Sequence, residues 1–360
     1  MKKNNILYRI IIFAVITAAI LLFNFKAKAD LSNGLDLQIT KWDNFYSGND
    51  IHFYYLDPKN VNLSKLKTKY GLSKLIDVKA DQFENSLKIM KYINQNVDAK
   101  STTMTSDKNA LDIMKVAFNG SKISDNDYTI ALGECLNSVG VNARLGVLQC
   151  TDKKVKGKSY FNVCEIWSDK YNKWIMIDGV NGCYMREKGV PLSATQIIDK
   201  GLTKVQIVNL KDTSKYIKKM SSFYESYSIY VDNNKYGELK SNSKITYLKG
   251  KQLPKIETKE GFIEPTIFVN KPIVFQISPR IKYVNKGKEK IPTLIFAKGN
   301  IKSDTNKIEN FTVVVFMNSY MVKNYFISIN GAGFIKVDLF YNLQIVKGTN
   351  TIKLSMDGKV

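Results

Sequence analysis

Residues 121–178 constrain the fold more than any other stretch. The run reads Ser124-Asp125-Asn126-Asp127-Tyr128, then Ala131-Leu132, then Leu136-Asn137-Ser138-Val139-Gly140-Val141-Asn142-Ala143-Arg144. One helix is predicted over Asn126 to Val139 and stops at Gly140, since glycine tolerates the positive φ that follows a helix end. Three strands are predicted after it: Val141 to Gln149, Tyr160 to Trp167, and Lys173 to Asp178, with polar turns between them. A helix packed on an antiparallel sheet is the implied unit, an α+β arrangement.

These residues resemble the core of the bacterial transglutaminase-like domain, a papain-like cysteine hydrolase or acyltransferase fold. In that family a nucleophilic Cys opens the helix. The helix runs into a Gly-Ile-Pro-Ala-Arg-like segment, matched here by Gly140 to Arg144. A His-x-x-x-Glu strand and a Trp…Asp strand follow. The likeness extends from about Leu63 to about Ile198, taking in Tyr70-Gly71-Leu72 and Pro191-Leu192-Ser193-Ala194. It implies thiol chemistry. The helix dipole lowers the thiol pKa, the His takes its proton, and the Asp orients the His.

The catalytic residues do not follow the framework. With Tyr128 and Arg144 aligned without a gap, the nucleophile position falls on Asp125. Glu165 fixes the strand and puts the His position on Phe161. Asp178 alone matches the triad, and the chain's single His, His52, lies far upstream. Asp125 reads as a helix N-cap, a role that contributes about 1 kcal/mol. A carboxylate there is a far poorer nucleophile than a thiolate. Ser124 would take the nucleophile position if the alignment slipped by one, without a His base. Glu165, Trp167, Arg144 and Trp174 are the candidates for lining the former cleft or binding a ligand there. Glu165 and Trp167 share a strand face with Phe161 and Val163. Arg144 is expected to pair with an acid such as Glu165 or Asp178.

The four cysteines are Cys135, Cys150, Cys164 and Cys183. None has zinc spacing, so no metal is expected, and no motif asks for a cofactor. Cys135 lies mid-helix and reads as a small buried residue. Cys150 and Cys164 flank a predicted hairpin turn near Gly157, which makes them the disulfide candidate in an exported chain. Cys164 is also the candidate for a displaced nucleophile, again without a His partner.

Around this unit the chain divides into three. Residues 1–29 carry Lys2, Lys3 and Arg9, an apolar run from Ile10 to Phe23, and Ala27-Lys28-Ala29 before Asp30. That is the layout of a secretory signal peptide; an uncleaved membrane anchor is the alternative. Residues 30–252 form the transglutaminase-like domain with flanking strands, including a strand begun by His52. Helices are predicted over Asp81 to Val97, from a Ser106 cap to Gly120, from Ser193 to Gly201 on a Ser193/Gln196 capping box, and over Lys211 to Tyr224. Residues 253–360 hold short β-rich runs with turn signals, among them Val274 to Ile277. They read as an all-β sandwich resembling the Ig-like modules of bacterial exported proteins.

The formal charge is +22. With no nucleic-acid motif, this points to an anionic cell-envelope polymer or membrane surface, or simply to solubility, and away from nucleic acid. Three functions compete. The first is an exported, catalytically inactive transglutaminase-like protein that binds a peptide or polymer at the cell envelope. The second is an active cysteine acyltransferase or peptidase using a displaced Cys. The third is a structural spacer. Open space beside Phe161 would favour the first, and a filled cleft the third.

Overall fold

The computed structural model describes residues 38–101, 103, 109–150, 159–234, 236–254, 263–298 and 308–359. The leader expected at 1–29 and the Ser106 cap lie outside the described residues. Among the described residues no helix is long and apolar enough to cross a membrane.

The first half supplies the helices. Val61–Lys69, Gln82–Asn96 and Ala110–Phe118 precede the central helix, Asp125–Ser138. Asp81 caps the second of these by accepting from Phe83 N, as its sequence position predicts. In the central helix every residue but Asn126 and Asn137 is buried. A helix buried on nearly all sides belongs in the middle of a fold, not on its surface. Gly133 lets it lie close to the sheet: a Cβ there would sit 3.2 Å from Leu145 Cδ2. Gly140 follows the helix at φ 83°, the conformation expected of it.

Strands β1 (Ala143–Gln149), β2 (Tyr160–Ser168), β3 (Lys173–Asp178) and β4 (Cys183–Glu187) come next, then β5 (Val190–Pro191). The helix Ala194–Lys200 opens on the Ser193/Gln196 capping box and ends at Gly201, both as predicted. Strand β6 (Gln206–Val208), the helix Thr213–Met220, β7 (Ser226–Tyr230) and β8 (Lys244–Leu248) complete this part. Beyond it lie β9 (Ile263–Val269), β10 (Thr293–Lys298), β11 (Ile308–Met317), β12 (Tyr320–Met321), β13 (Asn324–Ile329), β14 (Ile335–Asp338), β15 (Phe340–Val346) and β16 (Ile352–Ser355).

Among the described residues, one 13-stranded sheet runs β12-β11-β10-β9-β8-β7-β1-β2-β3-β4-β5, with β15 on β11 and β6 on β4. Its neighbours are antiparallel except β8 and β9, which run parallel. The sheet therefore crosses the boundary expected near residue 253. The core on the sheet face away from the central helix also takes residues from both sides of that boundary, Phe161 and Tyr227 together with Ile267 and Phe275. A second core holds the central helix on the opposite face, against Cys164, Ile166, Ile175 and Ile177. The remaining strands form a smaller sheet, β14-β13-β16. It faces the C-terminal end of the large sheet across Phe311, Val313, Val315, Tyr325 and Ile327.

Several elements depart from expectation. Val274 to Ile277 is not a strand. Pro272 opens a 3-10 helix, Pro272–Gln276, because its fixed φ suits a first helical position. The segment around His52 is not a strand; among the described residues it pairs through an isolated bridge between Tyr54 and Asp232. Strand β15 was not foreseen, although Tyr341, Leu343 and Ile345 alternate with more exposed neighbours along it.

Candidate functional site

The helix start is the place to look for a nucleophile. Ser124, not Asp125, is the N-cap. Its Oγ accepts from Asp127 N at 3.1 Å. Asp127 Oδ2 answers by accepting from Ser124 N at 3.2 Å and Ser124 Oγ at 2.8 Å. This is a complete capping box, and Asp125 is the first helical residue inside it. The expectation of an Asp125 cap fails because Ser124 and Asp127 have the box spacing and Asp125 does not. The Asp125 carboxylate turns to the sheet instead. Its Oδ2 accepts from Asn162 N at 3.1 Å and from Asn162 Nδ2 at 3.2 Å. Asp125 is 6% exposed, so these bonds are made away from bulk water. The positive end of the helix dipole favours its charge as well. Asp125 ties the helix to β2 at the residue beside Phe161.

Phe161 is buried, and its ring centroid lies 5.9 Å from that of Phe223. It belongs to the same core as Cys150, Met185 and Tyr224. An apolar ring thus stands where the sequence likeness would place a base, and other side chains pack against it. Asp178, at the end of β3, has no exposed surface. It accepts from Asn181 N at 3.0 Å, Asn181 Nδ2 at 2.8 Å and Tyr216 Oη at 2.8 Å. Tyr216 and Tyr224 hydroxyls lie 3.0 Å apart. Burial pushes the Asp178 pKa up, and the bonds from Asn181 and Tyr216 oppose that shift. In the family pattern this acid orients an imidazole; here a phenol donates to it. Asn181 and Tyr216 were not singled out in the sequence. A helix near Tyr216 was foreseen, but nothing local marks that hydroxyl as a partner of Asp178.

The four cleft candidates are not presented to solvent. Arg144, Glu165, Trp167 and Trp174 are each at most 3% exposed. Arg144 pairs with Glu165 and not with Asp178: Nε and Nη2 donate to Glu165 Oε2 at 3.0 and 2.6 Å. Glu165 Oε1 accepts from Ala194 N at 3.0 Å. The guanidinium lies 4.0 Å from the Trp174 ring centroid, and Nη2 also donates to Phe275 O at 2.7 Å. Trp174 Nε1 donates to Ile277 O at 2.8 Å. Trp167 Nε1 reaches Asp169 Oδ1 at 2.9 Å. The 3-10 segment at residues 272–276 and the residue after it therefore cap this polar cluster. Of the open and filled arrangements left open by the sequence, the filled one is found around these four residues, because the chain beyond residue 253 folds back over them.

The disulfide candidate is also overturned. The four cysteines are free and buried. Cys150 N donates to Ser159 O, while Cys164 stands opposite Leu145. Along β1 that separates the two by five residues, about 16 Å at ~3.3 Å per residue. They also enter different cores on opposite faces of the sheet. Burial pushes three of the thiols up, with a nearby acid adding to it: Glu134 for Cys135, Glu165 for Cys164, Asp178 for Cys183. A raised thiol pKa leaves little thiolate for nucleophilic attack. His52 does not supply a base to them. Its ring stacks on Tyr283 at 4.5 Å and lies 4.2 Å from Tyr54, and burial lowers its pKa. Among the described residues no cluster of three or more His, Cys, Asp or Glu could hold a metal.

No family model and no curated protein matches the chain. Among solved structures it is similar to a "Putative Cysteine Protease" from Cytophaga hutchinsonii, at 16% identity and TM-score 0.28, covering 50% of this chain and 49% of that one. A "putative protease" from Parabacteroides distasonis gives 13% identity and TM-score 0.25, covering 41% and 28%. A Rad4–Rad23 complex bound to a 6-4 photoproduct UV lesion gives 14% identity and TM-score 0.28, covering 48% and 41%. The chain spans about half or less of the length of each of these structures.

Proposed function

We propose that this chain is an exported, non-catalytic protein of the transglutaminase-like class, acting as a scaffold at the cell envelope, with an Ig-like sandwich at its C-terminal end. The observation that carries the reading is the fate of the nucleophile and base positions. Asp125 is engaged by Asn162, and Phe161 is buried against Phe223. A thiol enzyme of this class needs a thiolate at the helix start and an imidazole beside it. Here the space is taken by packing, which favours the spacer reading over ligand capture in the cleft. The sequence likeness supports the family assignment through Gly140 to Arg144, Glu165, Trp174 and Asp178. The N-terminal leader pattern supports export, and the +22 charge supports contact with an anionic envelope.

The experiment is an assay of purified protein for amine incorporation into a glutamine peptide and for peptide cleavage. The four cysteines are replaced by Ser in turn. No thiol-dependent turnover is expected. Turnover abolished by one of those replacements would restore the reading as a cysteine acyltransferase or peptidase.

A further inference from the structure

Residues 280–291 read Arg280-Ile281-Lys282-Tyr283-Val284-Asn285-Lys286-Gly287-Lys288-Glu289-Lys290-Ile291. They form neither helix nor strand, yet side chains along them hold the loop to the body: Arg280 pairs with Asp169 and Asn285 donates to Asn318 O, and two more turn inward. Tyr283 stacks on His52, the rings 9° from parallel. Glu289 accepts from the Tyr46 hydroxyl and, at 2.6 Å, from Asn318 N. Asn318 Oδ1 in turn accepts from Glu289 N at 2.9 Å.

The aliphatic and lysine side chains between these anchors are exposed. Ile281, Val284 and Ile291 are 70%, 66% and 63% exposed. Lys282, Lys286, Lys288 and Lys290 are exposed between them. Glu289 is the loop's one carboxylate, and it is spent on the inward peg. The peg also brings in the turn at Asn318 and Ser319, which leads into the exposed Tyr320 and Met321. Three aliphatic side chains exposed among four lysines on one held loop are the feature that asks for a partner.

We propose that this loop, with Tyr320 and Met321, docks the chain on an anionic lipid bilayer. The lysines suit any polyanion. The aliphatic side chains decide between occupants: Ile281, Val284 and Ile291 gain by entering the headgroup and acyl boundary, and gain nothing from a soluble charged polymer. The inference rests on the envelope reading for where a bilayer would be met, and on the loop alone for its chemistry.

The test uses the full chain carrying Val284→Cys, labelled with a polarity-sensitive fluorophore. The native cysteines are buried, so labelling is directed to the new exposed site. A second sample carries the label through Val78→Cys, at a position 90% exposed on the helical part. Vesicles contain phosphatidylcholine alone or with a quarter phosphatidylglycerol. The probe at position 284 should shift to the blue with anionic vesicles only, and the probe at position 78 should not shift. Changing Lys282, Lys286, Lys288 and Lys290 together to Gln should weaken the apparent affinity for anionic vesicles by about three orders of magnitude. A probe at 284 that stays in water while the chain sediments with anionic vesicles overturns the proposal. So does an equal shift on neutral vesicles. Competition by soluble polyphosphate with no shift on lipid would assign the loop to charged polymers instead. A shift that grows with protein concentration in the absence of lipid would assign it to a second copy of the chain. None of these outcomes depends on whether a cysteine turns over substrate.

Discussion

Asp125 Oδ2 accepts two hydrogen bonds from one residue, Asn162, through its backbone N–H and its side-chain amide. These two bonds pin the first turn of the central helix to β2, beside Phe161. The acid is structural through its partner on the sheet, and Ser124 does the capping.

The two residues should therefore differ in their energetic roles. Ser124→Ala loses a cap and should cost about 1 kcal/mol. Asp125→Ala leaves two donors of Asn162 without this acceptor in a buried site, each costing about 1–3 kcal/mol. Denaturant melts of the two variants should place Asp125→Ala clearly below Ser124→Ala. The reverse order would return the capping role to Asp125.

Glu165 balances a fully buried guanidinium, and its other oxygen holds Ala194 N. Glu165→Gln keeps the shape but leaves the Arg144 charge unbalanced, a loss of about 3–5 kcal/mol. Changing Arg144→Met and Glu165→Leu together should cost less than the two single changes combined, since neither charge is left behind. A double variant as weak as that combined loss would mean that the pair does not act as a unit.

The framework was legible in the sequence because it is local. The Gly140 stop, the Ser193/Gln196 box and the bounds of β2 and β3 follow from short-range pattern and turn chemistry. What fills the site was not legible, because it comes from far along the chain. Tyr216 reaches Asp178, Phe223 reaches Phe161, and Phe275 and Ile277 close over Arg144 and Trp174. The cysteine pairing failed on hairpin register. With the turn centred near Gly157, Cys150 and Cys164 would face each other, but the register puts Arg144 opposite Glu165 and so Cys164 opposite Leu145. A small shift in the turn moves every pair along the ladder.

Asp178 gives a pH dependence with a definite sign. Burial raises its pKa above the ordinary 3.8, so the folded chain holds this proton more tightly than the unfolded chain. Its contribution to stability is fully present below the ordinary carboxylate value and is lost as pH rises through the raised folded value. Asp178→Asn cannot ionise. It loses one acceptor, which is a constant offset, and should gain on the native protein as pH rises above the ordinary carboxylate range. Melts of both proteins across that rise measure the gap. A gap that does not change, or that widens against the variant, would mean that burial does not raise the pKa of this acid.

The claim that the site is packed and without thiol chemistry is tested most directly by alkylating the folded protein. Native protein is exposed to iodoacetamide at neutral pH, and adducts are counted by mass spectrometry before and after denaturation. The buried thiols should give no adduct in the folded state and four once the chain is unfolded, one for each cysteine. A single fast adduct on the folded protein, at a rate that rises as a thiol ionises near neutrality, would reveal an activated cysteine and contradict the account.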